Sequence, residues 1–447
     1  MKVLSKISCL TFSRCTIGLA FILLTTYRSQ AQVPVPKPAP EQIKPVRIQG
    51  VTVHTGLGEE LYNAYVQFEK GIITKIGSGT PPSFDGEILQ LDGQHLYPGF
   101  ILPASTLGLR EIDALRPTLD YNETGKFSAS VRSGIAYNAE SELIPTIRYN
   151  GILTAQIAPT GGYISGQSSV MQLDAWNWQD AILSADEGLW MNWPDLYQYT
   201  GWWAEPGAAK KSENHDKQIA EVKLFFDQAR SYCQNPSKGP QLGYKAVCPV
   251  FKGDRKLYVR VDGAKEIIEA VLTLEQWGIS RPILVGAKES WRVADFIADR
   301  KIDVILSAIH DLPTHEDDPH DQVYRTPAIL RQKGVRFCLA IEPVRELMGS
   351  RNLPFFAGNS VAYGLSKAEA LRSITADAAA ILGLEKQVGS ISVGKHATFF
   401  VSKGDALDMM SQHLTVAFIQ GRRIILKGKQ QALYERYAEK AGQPIKD

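Results

Sequence analysis

Apolar segments of two lengths alternate between Lys256 and Gly383, and this alternation limits the chain's architecture more than any other feature. Leu257-Tyr258-Val259-Arg260-Val261 reads as a strand, and Ala264 to Trp277 sets Ile267, Ile268, Val271, Leu272 and Leu274 on one helical face that stops at Gly278. Strand Ile283-Leu284-Val285 is followed by a helix from Trp291 to Asp299, and strand Val304-Ile305-Leu306 by a helix from Val323 to Gln332. Strand Phe337 to Ile341 precedes a last helix, which starts at Ser366 with Glu369 three residues on, the spacing of a capping box, and ends before Gly383. Repeated strand–helix units imply a parallel sheet. Four more strands lie upstream, at Phe100-Ile101-Leu102, Ile152 to Ile157, Val170 to Leu173 and Leu189 to Asn192. Eight units favour a closed α/β (β/α)8 TIM barrel, whose site sits at the C-terminal ends of the strands.

Both ends of the chain read differently. Ile48 to Val53, Ala64 to Phe68 and Ile72 to Gly77 alternate apolar with polar residues, as half-buried strands do. The same texture returns in Ala397 to Val401, Thr415 to Ile419 and Arg423 to Leu426. The expected organisation is a barrel over 98–385, a small β-sandwich domain assembled from 47–97 and 386–430, and a C-terminal tail over 431–447. Gly207 to Arg230 interrupts the rhythm with Ile219, Val222, Phe225, Phe226 and Ala229, an amphipathic helix that either covers one side of the mouth or packs peripherally.

Lys2, Lys6 and Arg14 precede the apolar run Ile17 to Leu24, and Ser29-Gln30-Ala31 follows it. That order is the pattern of a cleavable secretory signal over 1–31. The run is shorter than the ~18 apolar residues a membrane span wants. Export to the periplasm or beyond is the expectation, with a proline-rich linker over 32–46 and structure starting near Val46. Four of the 49 basic residues lie in the signal, so 45 face 47 acidic ones in the mature chain. Nothing in that balance suggests nucleic acid. Cys233 and Cys248 flank a short Pro/Gly-containing stretch; a bridge there would stabilise by ~3 kcal/mol in an oxidising compartment, and two free thiols are the other state open to them. Cys338, in an apolar strand, reads as core.

Leu91-Asp92-Gly93-Gln94-His95-Leu96-Tyr97-Pro98-Gly99-Phe100-Ile101 resembles the passage by which amidohydrolases leave their β-domain and enter the first barrel strand. Ala362 to Thr375, Ala379 to Leu384 and Val388-Gly389-Ser390-Ile391-Ser392-Val393-Gly394-Lys395-His396-Ala397 resemble the same superfamily's last barrel helix and its return to that domain, with the imidazolonepropionase-like branch the nearest. The resemblance implies hydrolysis of C–N bonds in small amides, assisted by zinc or another divalent ion that acidifies a water.

The family's first strand ends in Asp-x-His-x-His, and here the stretch reads Leu102-Pro103-Ala104-Ser105-Thr106. By resemblance the fifth-strand histidine falls on Arg260, the sixth-strand one near Gly286, the eighth-strand aspartate on Glu342, and the fourth-strand bridging position near Asn192. The degenerate positions are therefore Ala104, Thr106, Arg260, Gly286 and Glu342, and no metal cofactor is expected. A guanidinium has no lone pair to offer a metal. Arg260 and Glu342 are expected to pair across the mouth, since buried charges are costly without partners.

Two further constellations remain. His310, His315 and His320 share one loop with several carboxylates, but a spacing of five suits neither helix nor strand, so only His310, at the end of strand seven, stands where a site residue should. The loop carrying Gly161, Gly162, Ser165, Gln167 and Ser168 offers tight turns and amides for an anionic or carbonyl ligand, or serves only as a barrel loop. The carboxylates of 120–123 and 138–142 read as solvated, and Trp176, Trp178, Trp190, Trp193, Trp202 and Trp203 as packing or an aromatic wall.

Three functions follow. The first is a degenerate barrel that binds a small molecule or a partner, either a second copy or an intact relative. The second is a C–N hydrolase with a rebuilt single-metal site drawing on His310, Glu342 or the histidine loop. The third is a metal-free enzyme with Arg260 as a clamp and a carboxylate as base.

Overall fold

A computed structural model describes residues 37–445 except Trp203, 236–238, Pro240, Ala308 and 342–348. The secretory signal read at 1–31 and the start of the linker lie outside the described residues, as does Glu342.

Two large sheets carry the fold. The first contains β1 (Val46–His54), β2 (Glu60–Glu69), β3 (Ile72–Ser78), β4 (Glu87–Gln90) and β5 (His95–Pro98) from the N-terminal part of the chain. The barrel strands are β6 (Phe100–Ser105), β7 (Ile152–Ile157), β8 (Ile164–Gln172), β9 (Ile182–Asn192), then, past a hairpin of β10 (Tyr197–Trp202) and β11 (Glu205–Lys211), β12 (Lys256–Val261), β13 (Ile283–Gly286), β14 (Val304–Leu306) and β15 (Phe337–Leu339). The first sheet is completed from the far end by β16 (Phe399–Ser402), β17 (Leu414–Ile419) and β18 (Arg422–Arg423), in the order β18-β17-β16-β5-β1-β2-β3 with β4 beside β1. It curls on itself, so that Phe68 of β2 meets Phe399 at 5.2 Å and Phe418 at 4.9 Å between ring centroids, around a core of its own.

The barrel sheet runs β6-β7-β8-β9-β12-β13-β14-β15, all eight strands where the alternation places them. One expectation is corrected: β8 runs antiparallel to both β7 and β9. Residues 158–163 are too few for a parallel crossover, which takes a dozen or more, so the chain turns straight back as a hairpin. Gly161 and Gly162 supply that turn with φ of 83° and 60°. The first and last strands meet through the backbone of Ile101, whose N–H donates to Ile374 O at 2.9 Å, and through the helix Ala376–Leu382. Ala378, Ala379, Ile381 and Leu382 of that helix join Ile101, Val170, Trp190, Tyr258, Ile305 and Cys338 in the inner apolar cluster.

The expected last helix is two, Lys367–Ser373 and Ala376–Leu382, because Thr375 leaves helical geometry. Its start is as read: Ser366 and Glu369 form the reciprocal cap. The interrupting segment is also two elements, strand β11 and the helix His215–Gln234, which buries Val222, Phe225, Phe226 and Ala229. Cys233 and Cys248 are bridged, with Cα atoms 5.6 Å apart, tying that helix to the helix Leu242–Lys252. The tail is helical over Lys429–Lys440.

Regular strands begin at Val46, yet the chain is anchored earlier. Ala39 is buried, its N–H donating to Asp174 Oδ2 at 2.9 Å. Asp174 also receives Arg148 Nη1 at 2.5 Å and Arg422 Nη1 at 3.0 Å, which joins the arm, the approach to β7 and the edge strand β18. Among the described residues no helix is long and apolar enough to cross a membrane.

Candidate functional site

In β12 the residues Lys256, Tyr258 and Arg260 share one face, because side chains alternate along a strand. Register sets Arg260 beside Asn192 of β9 and Val285 of β13, at the C-terminal ends of parallel strands. Arg260 Nη2 donates to Pro159 O at 3.0 Å and Nη1 to Asn192 Oδ1 at 3.4 Å. Its guanidinium lies over Trp190, 4.4 Å from the ring centroid. Trp190 is fully buried and stacks on Tyr258 at 4.7 Å. The indole Nε1 has no hydrogen-bond partner.

Beside the aromatic pair lies Glu187, a residue not singled out in the sequence. Its carboxylate accepts from Gln156 Nε2 at 2.7 Å, from Tyr258 OH at 2.8 Å and from Ser168 Oγ. Burial pushes the Glu187 carboxyl above its usual range, outweighing the three donors. The same carboxylate and burial push the Tyr258 hydroxyl up. Gln156 Oε1 accepts from Ala104 N at 3.0 Å, so the network reaches the end of β6. An acid preceding the apolar run Leu189 to Met191 is the trace Glu187 leaves in the sequence, and starting the strand at Leu189 hides it.

The degenerate positions gather at the strand ends without forming a metal-binding group. Ala104 and Thr106 are buried, Ala104 with a φ of 55°. Gly286 closes β13 with a φ of 87°, and a Cβ there would stand 2.4 Å from Asp262 Oδ1, so this backbone has no room for an imidazole. Alanine, threonine, glycine and arginine do not make the donor set of a divalent ion. Among the described residues no group of three or more His, Cys, Asp or Glu side chains is placed to hold one.

The other candidates have internal partners. His310 Nε2 is 3.0 Å from Asn359 Nδ2, and its ring stacks on Phe356 at 3.8 Å. His315 turns away to Glu289 at 2.8 Å, Arg292 pairs with Asp318, and Lys288 reaches Asp311 at 2.7 Å. In the glycine loop Ser165 Oγ donates to Gly161 O at 2.8 Å, Gln167 Nε2 to Ala129 O at 3.0 Å, and Ser168 to Glu187. Asn192 Nδ2 ties the turn to β9 through Gly162 O at 2.6 Å. The tryptophans are spread: Trp190 is inside the barrel, Trp193 bonds Glu269, and Trp176 and Trp202 are exposed.

Residues 260–428 match the sequence model of the amidohydrolase family. No curated protein matches the chain. The fold is similar to that of an amidohydrolase from Thermotoga maritima, with a TM-score of 0.72 at 21% identity over 85% of this chain and 99% of that one. It is also similar to a putative prolidase from Bifidobacterium longum (TM-score 0.53, 13% identity, 90% and 100% covered). A zinc-bound adenosine deaminase from Xanthomonas campestris is similar as well (TM-score 0.52, 14% identity, 91% and 99% covered).

Proposed function

We infer that this member of the amidohydrolase superfamily uses its barrel mouth to bind a small molecule rather than to run metal-assisted hydrolysis. One observation carries the reading: a guanidinium, anchored to Pro159 O and Asn192 Oδ1 and laid over Trp190, stands where the resemblance puts an imidazole ligand. A permanent cation there repels a divalent ion and offers it no lone pair. Arg260, Glu342 and His310 are assigned to the ligand-facing mouth, and the turn at Gly161 and Gly162 to its support.

The chain is read as exported, with its mature form starting at Gln32. The Cys233–Cys248 bridge supports that, since disulfides persist in oxidising compartments.

Elemental analysis of mature protein expressed with zinc, manganese and iron in the medium tests the functional reading. The expected result is metal far below one ion per chain and no turnover of simple amides. A stoichiometric, dialysis-resistant ion would overturn it.

A further inference from the structure

Trp190 is fully buried inside the barrel, and its Nε1 meets no acceptor of the chain. Buried polar groups nearly always find a partner, so an orphan donor in an ordered interior marks a place for something else to bind. The indole N–H and the Arg260 guanidinium above it are both donors only, and whatever they hold must accept. Close by, Tyr258 OH and the amide of Gln156 are committed to Glu187 and to Ala104 N.

Resting on the reading of a metal-free mouth, we propose that Trp190 Nε1 and Arg260 together bind the carboxylate of a small organic acid. The planar fork of a guanidinium suits two carboxylate oxygens, and a charge-assisted bond to a monoanion is stronger than one to a neutral carbonyl. The neighbouring strand ends carry only Ala104, Ala158 and Ala340 in the inner cluster, small side chains that leave the acid's organic part an apolar surround. A carboxylate oxygen thereby occupies ground that a metal-bound oxygen would hold in an intact relative.

The test uses 15N-labelled mature protein titrated with acetate, benzoate and N-acetylglycine, and separately with acetamide and benzamide. The resonance followed is the indole N–H that Trp190→Phe removes. The carboxylates should move it and the amides should not, and Arg260→Gln should weaken carboxylate binding roughly tenfold or more. Arg260→Lys keeps the charge, loses the fork and serves if the glutamine variant does not fold. No movement with any carboxylate, or equal movement with the amides, overturns the proposal. Repeating the titration after chelation separates the two readings: binding lost with EDTA and restored by zinc would sink the metal-free mouth. Absence of binding indifferent to EDTA would sink only the carboxylate assignment.

Discussion

Two withdrawn carboxylates, Asp174 at the base of the barrel and Glu187 inside it, are handled in opposite ways. Asp174 follows β8, whose end lies against the start of β7, and two guanidinium groups converge on it, Arg148 at 2.5 Å and Arg422 at 3.0 Å. Burial pulls the Arg148 pKa down while Asp174 pushes it back up, so the ion pair is what keeps the charge there. Glu187 instead is met by Ser168, Gln156 and Tyr258, all neutral, and its carboxyl is pushed up. The difference separates two jobs. Where the two sheets and the N-terminal arm meet, opposite charges are locked against each other; inside the barrel, polar groups are kept close to neutral, and one donor, Trp190 Nε1, is left over.

The sharpest way to break this contrast is Asp174→Ala. Removing the carboxylate strands two buried guanidinium groups, an expected loss of about 3–5 kcal/mol in urea unfolding. A loss under about 1 kcal/mol would mean the arm and the sheets hold without that pair.

Gly188→Ala tests how tightly the interior is drawn together. A methyl there would stand 2.1 Å from Tyr258 Cε2, so the ring that serves Glu187 must shift, at an expected cost of about 1–3 kcal/mol. An unchanged unfolding midpoint would show that Tyr258 yields freely.

The smallest effect is a pH dependence. An unfolded Glu187 ionises in the usual range near 4.5, whereas the folded one holds its proton to higher pH. Its contribution to stability is therefore complete below that range and is lost as pH rises through the folded value. Stability measured from about pH 4 to neutral should fall more steeply in the natural protein than in Glu187→Gln. Parallel curves would place the ionised carboxylate comfortably in the barrel and weaken the contrast with Asp174.

The architecture was legible from periodicity. Ile267, Val271 and Leu274 declare a helix face, and the short apolar runs declare strands, because burial on one or both faces imposes those spacings locally. So were the substituted ligand positions, since Ala104, Thr106 and Arg260 need only be read in place. Tertiary structure alone decided the rest. The antiparallel run of β8, the meeting of Arg148, Asp174 and Arg422, and the Glu187 network depend on residues brought together from distant parts of the chain. Periodicity reports which face of an element is buried, but a hydrogen-bond partner is a matter of distance and angle, fixed only once the strands have closed around it.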